Sequence, residues 1–165
     1  MFKHMKTVTP SLRFSLQGMK ATATAVLLVL LSACSSTDVR MNLSASADLN
    51  TNSFSEPLPV IVRIYQLADV DTFQSATFDQ LWKADELVLG SNLLHKQELM
   101  IKPNAKLDYE FVQMDNASYV AIFALFREID KNGWRWVHKL DSGSLSFDTE
   151  FDVKLVKNQI LYMEK

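Results

Sequence analysis

The chain has 165 residues and a formal net charge of −2, with 17 Lys and Arg against 19 Asp and Glu. It lacks the basic excess that a phosphate backbone demands, which makes it a poor candidate for nucleic acid or an anionic membrane surface. Its single cysteine excludes an internal disulfide, so any fold must rest on packing.

The N-terminal stretch carries Lys3, Lys6, Arg13 and Lys20 and no acidic residue before Cys34. An uncharged, mostly apolar run over residues 21–31 follows, then small residues. A positive start, a short apolar core and a small-residue cut make a signal peptide, predicted here over residues 1–33. The run is far shorter than the ~20 apolar residues a membrane-spanning helix needs. The stretch Leu31-Ser32-Ala33-Cys34 resembles the lipobox of bacterial lipoproteins, in which the cysteine is lipidated and becomes the first residue of the mature chain. Each buried CH₂ contributes ~0.8 kcal/mol, so one acyl chain binds marginally and two or more anchor stably. The plain alternative is a spare cysteine in an exported soluble protein. Residues 34–40 are short and polar and read as the lipidated terminus and its tether.

From residue 41 to 165 the dominant period is two. Met41, Leu43, Ala45, Ala47 and Leu49 alternate with polar residues, predicting a strand with one wet face. Residues 51–57 break it. Val60, Val62 and Ile64 open a second strand that runs to about Leu67. Residues 76–86 place Phe78, Leu81 and Trp82 at helical spacing, with Thr77 and Gln80 suited to a capping box and Gly90 as a stop. Residues 96–101 and 106–112 flank Pro103-Asn104, which predicts a hairpin. Residues 119–126 are almost wholly apolar and predict a central strand covered on both sides. Asp130-Lys131-Asn132-Gly133 is a second hairpin signal, because Asn-Gly accepts positive φ. Trp134 and Trp136 fall on one face of the next strand, either as core or as an aromatic platform. Residues 146–156 and 159–163 close the chain as two strands. The expectation is an all-β, two-sheet antiparallel sandwich of about eight strands with a short helical insertion. Closure into a small barrel is the alternative.

The sequence offers little chemistry. His95 and His138 lie far apart, and an acylated Cys34 is no nucleophile. No Gly-rich phosphate loop and no Gly-x-Ser-x-Gly turn occurs. Asp148, Glu150 and Asp152 share one strand face; a paired-carboxylate hydrolase needs such groups, but a solvated outer face explains them more simply. Phe54 stands out in a polar loop. It either tucks back over the sheet or stays exposed as an anchor for a partner.

Ser55-Glu56-Pro57-Leu58-Pro59-Val60-Ile61-Val62-Arg63-Ile64-Tyr65-Gln66-Leu67 resembles the Val-rich strand of the type VI secretion outer-membrane lipoproteins, the TssJ/VasD/SciN family. Phe73 with residues 76–82, Ala-Thr-Phe-Asp-Gln-Leu-Trp, is similar to that family's following helix, and Leu89-Gly90 to its next turn. Residues 119–127 followed by Trp134-Arg135 are similar to its later hairpin. Lys102-Pro103-Asn104 departs from the family's frequent Pro-Gly, though Asn also tolerates positive φ.

The resemblance implies a transthyretin-like sandwich that is not an enzyme and carries no cofactor beyond covalent lipid on Cys34. It implies a place on the periplasmic face of the outer membrane. Ser35, where inner-membrane retention uses Asp, directs sorting there. The implied partner is the periplasmic C-terminal region of the system's large inner-membrane protein. The implied contact is the loop of Asn50, Thr51, Asn52, Ser53, Phe54, Ser55, Glu56 and Pro57, transferred by position. No small-molecule substrate is expected. The alternative reading is a lipidated transthyretin-like module that holds a ligand between its sheets.

Overall fold

The computed structural model describes residues 37–129, 133–141 and 148–163. Cys34, Ser35 and most of the Asp130-Lys131-Asn132-Gly133 turn lie outside the described residues. Eight strands occur among those described: β1 Asp38–Ala45, β2 Val60–Leu67, β3 Leu93–Ile101, β4 Lys106–Val112, β5 Tyr119–Ala124, β6 Arg135–Lys139, β7 Thr149–Val156 and β8 Gln159–Met163. They form two four-stranded sheets, β4-β1-β7-β8 and β3-β2-β5-β6.

Alternation decides what lies between the sheets. Val39, Met41 and Leu43 of β1 and Phe151, Val153 and Leu155 of β7 point to one side and are buried. Val60, Val62 and Ile64 of β2 and Val120 and Ile122 of β5 are buried alongside them in the same core. Each such side chain contributes about 1.5–3 kcal/mol by leaving water. The opposite side of β1 and β7 is polar. There Asn42 Nδ2 donates to Asp152 Oδ1 at 2.8 Å and to Glu150 Oε1 at 3.1 Å, and the amide of Asp38 donates to Asp148 Oδ1 at 3.0 Å. The three carboxylates of the β7 region thus serve a hydrogen-bonded outer face.

The helical insertion covers the outer side of the second sheet. Its parts are α1 Asp71–Ser75, α2 Phe78–Leu89 and a 3₁₀ turn Gly90–Asn92. The capping box forms: Thr77 Oγ1 accepts from the Gln80 amide at 3.3 Å, and the Thr77 amide donates to Gln80 Oε1 at 2.8 Å. Gly90 ends α2 at φ +53, a value that favours a residue without Cβ. Phe73 meets the Tyr65 ring edge-on at 5.8 Å, and Phe78 meets Phe123 at 5.1 Å.

Several local expectations change. β1 ends at Ala45, and Leu49 is buried from the turn that follows. The pairing of β1 with β7 is parallel, the one departure from antiparallel order; Met41 faces Phe151. The segments around Pro103-Asn104 form no hairpin: β3 pairs with β2 and β4 with β1, so this tight turn, with Asn104 at φ 61, carries the chain from one sheet to the other. A turn motif fixes a reversal, whereas the buried faces decide which strands pair. Trp134 and Trp136 do not share a face. Trp134 lies in the turn before β6, where alternation lapses, and packs on Phe78 and Phe123. Trp136 stacks on Tyr162 at 4.9 Å and meets Phe151 at 5.4 Å. Trp82 is 49% exposed and lies outside the buried stripe, which is Leu81, Asp85 and Leu89.

Candidate functional site

The connection between β1 and β2 is closed by its own side-chain hydrogen bonds. Asn52 organises its tip: its Oδ1 accepts from the amides of Phe54 at 2.9 Å and Glu56 at 3.0 Å, and its Nδ2 donates to Glu56 Oε2 at 2.8 Å. The amide of Ser55, at φ 59, donates to the Asn52 carbonyl at 2.9 Å. An Asn side chain closing its own turn in this way replaces backbone partners that the loop lacks. The result holds Phe54 outward, 82% exposed. Of the two readings of Phe54, the structure selects the exposed one.

Asn50 has a different role from its neighbours. It is buried, at φ 48, with Nδ2 donating to the Pro59 carbonyl at 2.8 Å and Oδ1 accepting from the Arg127 amide at 2.8 Å. Its own amide donates to the Lys157 carbonyl at 2.9 Å. Asn50 therefore ties three chain segments beneath the loop. Thr51 and Asn52 are half-buried, whereas Ser53, Phe54, Ser55, Glu56 and Pro57 are exposed. The exposed part of the predicted contact segment is residues 53–57.

Beside the loop base lies a groove of about 420 Å³, lined by Asn50, Pro59, Ile61, Phe78, Trp82, Leu125, Phe126 and Arg127. Its helical wall is fixed by a charged cluster. Arg63 Nη1 donates to the carbonyls of Leu81 at 2.9 Å and Trp82 at 3.2 Å, and to Asp85 Oδ2 at 3.2 Å. α2 is kinked here, with Ala84 at φ −152 and ψ 38. A side chain entering the helical ladder is a recognised cause of a kink, and the guanidinium serves the two carbonyls at that point. Asp85, 6% exposed, also accepts from the Tyr65 hydroxyl at 2.9 Å and from Lys96 Nζ at 3.2 Å. Burial pushes the Asp85 carboxyl up, but Tyr65, Lys96 and Arg63 together outweigh it and hold the group below the usual carboxylate range. Burial, helped by Asp85, pushes the Tyr65 hydroxyl far up, so it stays a donor. The Glu86 hydrogen bond, at 2.6 Å, is the main cause that raises Lys96.

Sequence reasoning missed this cluster and the groove. The signal available was an acid, Asp85, four residues after Leu81 on the buried stripe, which a purely apolar helix face would not contain.

The sequence profile of the family described as type VI secretion lipoprotein, VasD, EvfM, TssJ, VC_A0113 matches residues 37–158. The chain belongs to this family. It is a family of secretion-system lipoproteins and not one of enzymes. Among curated proteins no relative matches the chain. Solved structures agree on the fold. One chain, described as belonging to a type VI membrane complex, is 27% identical, with a TM-score of 0.71, over 79% of this chain and 100% of its own length. Another, described as the T6SS protein TssM C-terminal domain from EAEC, is 26% identical with a TM-score of 0.68, over 78% of this chain and 98% of that one. Lip from Serratia marcescens, described as a membrane-bound component of the type VI secretion system, has a TM-score of 0.73 at 18% identity, over 79% of this chain and 99% of that one.

Proposed function

We propose that this type VI secretion lipoprotein is held on the periplasmic face of the outer membrane by lipid on Cys34. There it anchors the secretion system's membrane complex by binding the periplasmic C-terminal region of TssM, the large inner-membrane component. The carrying observation is Phe54, presented outward on a loop that Asn52 and Asn50 make rigid. A rigid exposed aromatic contributes most at an interface because little freedom is lost on docking. The lipobox around Cys34 and the serine at position 35 support the membrane assignment. The likeness to chains described with TssM and with a type VI membrane complex supports the partner. Lipidation makes each contact effectively intramolecular once several copies share one membrane patch, so a modest affinity suffices.

The test uses the full lipidated chain purified in mild detergent and the periplasmic region of TssM. Phe54→Ala should weaken binding about tenfold or more, since aromatic anchors typically contribute over ~1.4 kcal/mol. Asn50 is kept, because replacing it would disturb the fold. Wild-type affinity in the Phe54 variant would remove the loop from the interface, and absence of binding by the native chain would remove the anchor reading.

A further inference from the structure

The groove beside the loop has features that Phe54 does not explain. Three of its lining residues, Ile61, Phe78 and Trp82, are apolar and lie on the outer side of the second sheet and on α2. Its volume falls within the ~300–1,000 Å³ of clefts that hold ligands. Among the described residues Arg127 is the one charged residue in its lining. Among the described residues the Arg127 guanidinium makes no ion pair. A cation with no ion-pair partner among the described residues favours an acidic occupant.

The groove and the loop form one mechanical unit. Asn50 bonds Pro59 at the far end of the loop and the backbone of Arg127 on the groove wall. On the other wall, the Arg63 guanidinium holds the carbonyl of Trp82. Trp82 is thus half-exposed yet set in place from behind, with Phe78 against it at 6.3 Å and Lys83 over its ring at 5.4 Å. Asn50 and Pro59, at the two ends of the loop that carries Phe54, line the groove, so the loop base is one of its walls.

We propose that the groove is a second contact for the same partner. It takes one apolar side chain from a segment of the TssM periplasmic region, and Arg127 pairs with a carboxylate next to that side chain. The proposal rests on the anchor reading, and Trp82, Ile61 and Phe78 form the pocket while Arg127 sets the register. A pocket that reads one side chain together with one charge adds specificity to the loop, whose tip supplies only Phe54 as a large apolar group.

The test compares Trp82→Ala, Arg127→Glu and Phe54→Ala in the full lipidated chain against the TssM periplasmic region. Trp82→Ala and Arg127→Glu should each weaken binding about tenfold. The Arg127→Glu effect should shrink at high salt, because a rim charge is screened, while the Trp82→Ala effect should persist. Arg127→Glu alters an exposed side chain whose backbone bond to Asn50 stays intact, so it reports on binding even where Trp82→Ala reduces stability. Native affinity in both groove variants, with Phe54→Ala still weakened, would overturn the groove and leave the loop in place. Absence of binding by the native chain would overturn both readings. A native chain that sediments as a dimer, lost in Trp82→Ala, would assign the groove to a second copy and overturn the proposal.

Discussion

The two sheets treat their outer faces in opposite ways. On β1 and β7 every outward residue from Arg40 to Lys154 is polar, and the face is held by short hydrogen bonds around Asn42. On β2 and β5 the outward residues Tyr65, Leu67, Ala121 and Phe123 are fully buried, because the helical insertion lies over them. The covered face gains apolar burial, but it must also satisfy the polar groups trapped beneath the helix. Arg63, Tyr65, Asp85 and Lys96 do so for one another. The difference teaches that the insertion is a second core with a charged lock at its centre. The wet face, in contrast, is held by strand pairing and by hydrogen bonds at its surface.

The largest expected effect falls on the lock. Asp85→Ala would leave the Tyr65 hydroxyl without its acceptor and remove a shared carboxylate from Arg63 and Lys96. Breaking a buried charged pair typically costs about 3–5 kcal/mol, to be read as a lowered denaturation midpoint in urea. A cost below about 1 kcal/mol would erase the proposed contrast between the two faces.

A smaller effect comes from acid, and its sign is fixed. Burial holds His138, stacked on Phe151 at 4.6 Å, below its ordinary 6.5, while the partners of Asp85 hold it below 3.8. Groups with lowered values stabilise the fold above their unfolded values and lose that contribution as pH falls through the folded ones. Stability should therefore begin to decline below about pH 6.5, through His138, and decline further below about pH 3.8, through Asp85. Urea midpoints across pH should show both stages, and His138→Gln should flatten the upper one alone. A decline that begins only below pH 3.8 in the native chain would remove His138 from this account.

The smallest effect belongs to the wet face. Arg40 Nε donates to Glu110 Oε1 at 2.9 Å, with both side chains at least half exposed. Exposed pairs contribute about 0–1 kcal/mol, so Arg40→Ala should shift the midpoint barely at all. A shift as large as that of Asp85→Ala would show that the outer face of β1 is structural after all.

Alternation in Met41, Leu43, Phe151 and Val153 made the inner faces legible, and Thr77 with Gln80 and Gly90 marked both ends of α2. The loop around Phe54 was legible as a polar break containing one aromatic. The reason Phe54 points outward was not, because it depends on hydrogen bonds from Asn52 to residues two and four places on. The groove was illegible: Ile61, Phe78, Trp82 and Arg127 are far apart in the chain, and no periodicity connects them.

The sequence by itself determined the two-period strands and the capped helix, since each depends on neighbouring residues. Only the tertiary structure decided that β1 runs parallel to β7, that Pro103-Asn104 joins two sheets, and that Arg63 meets Asp85 under a kinked helix. These depend on which buried faces find each other, and that choice is made across the chain by packing and by the need to pair every buried charge.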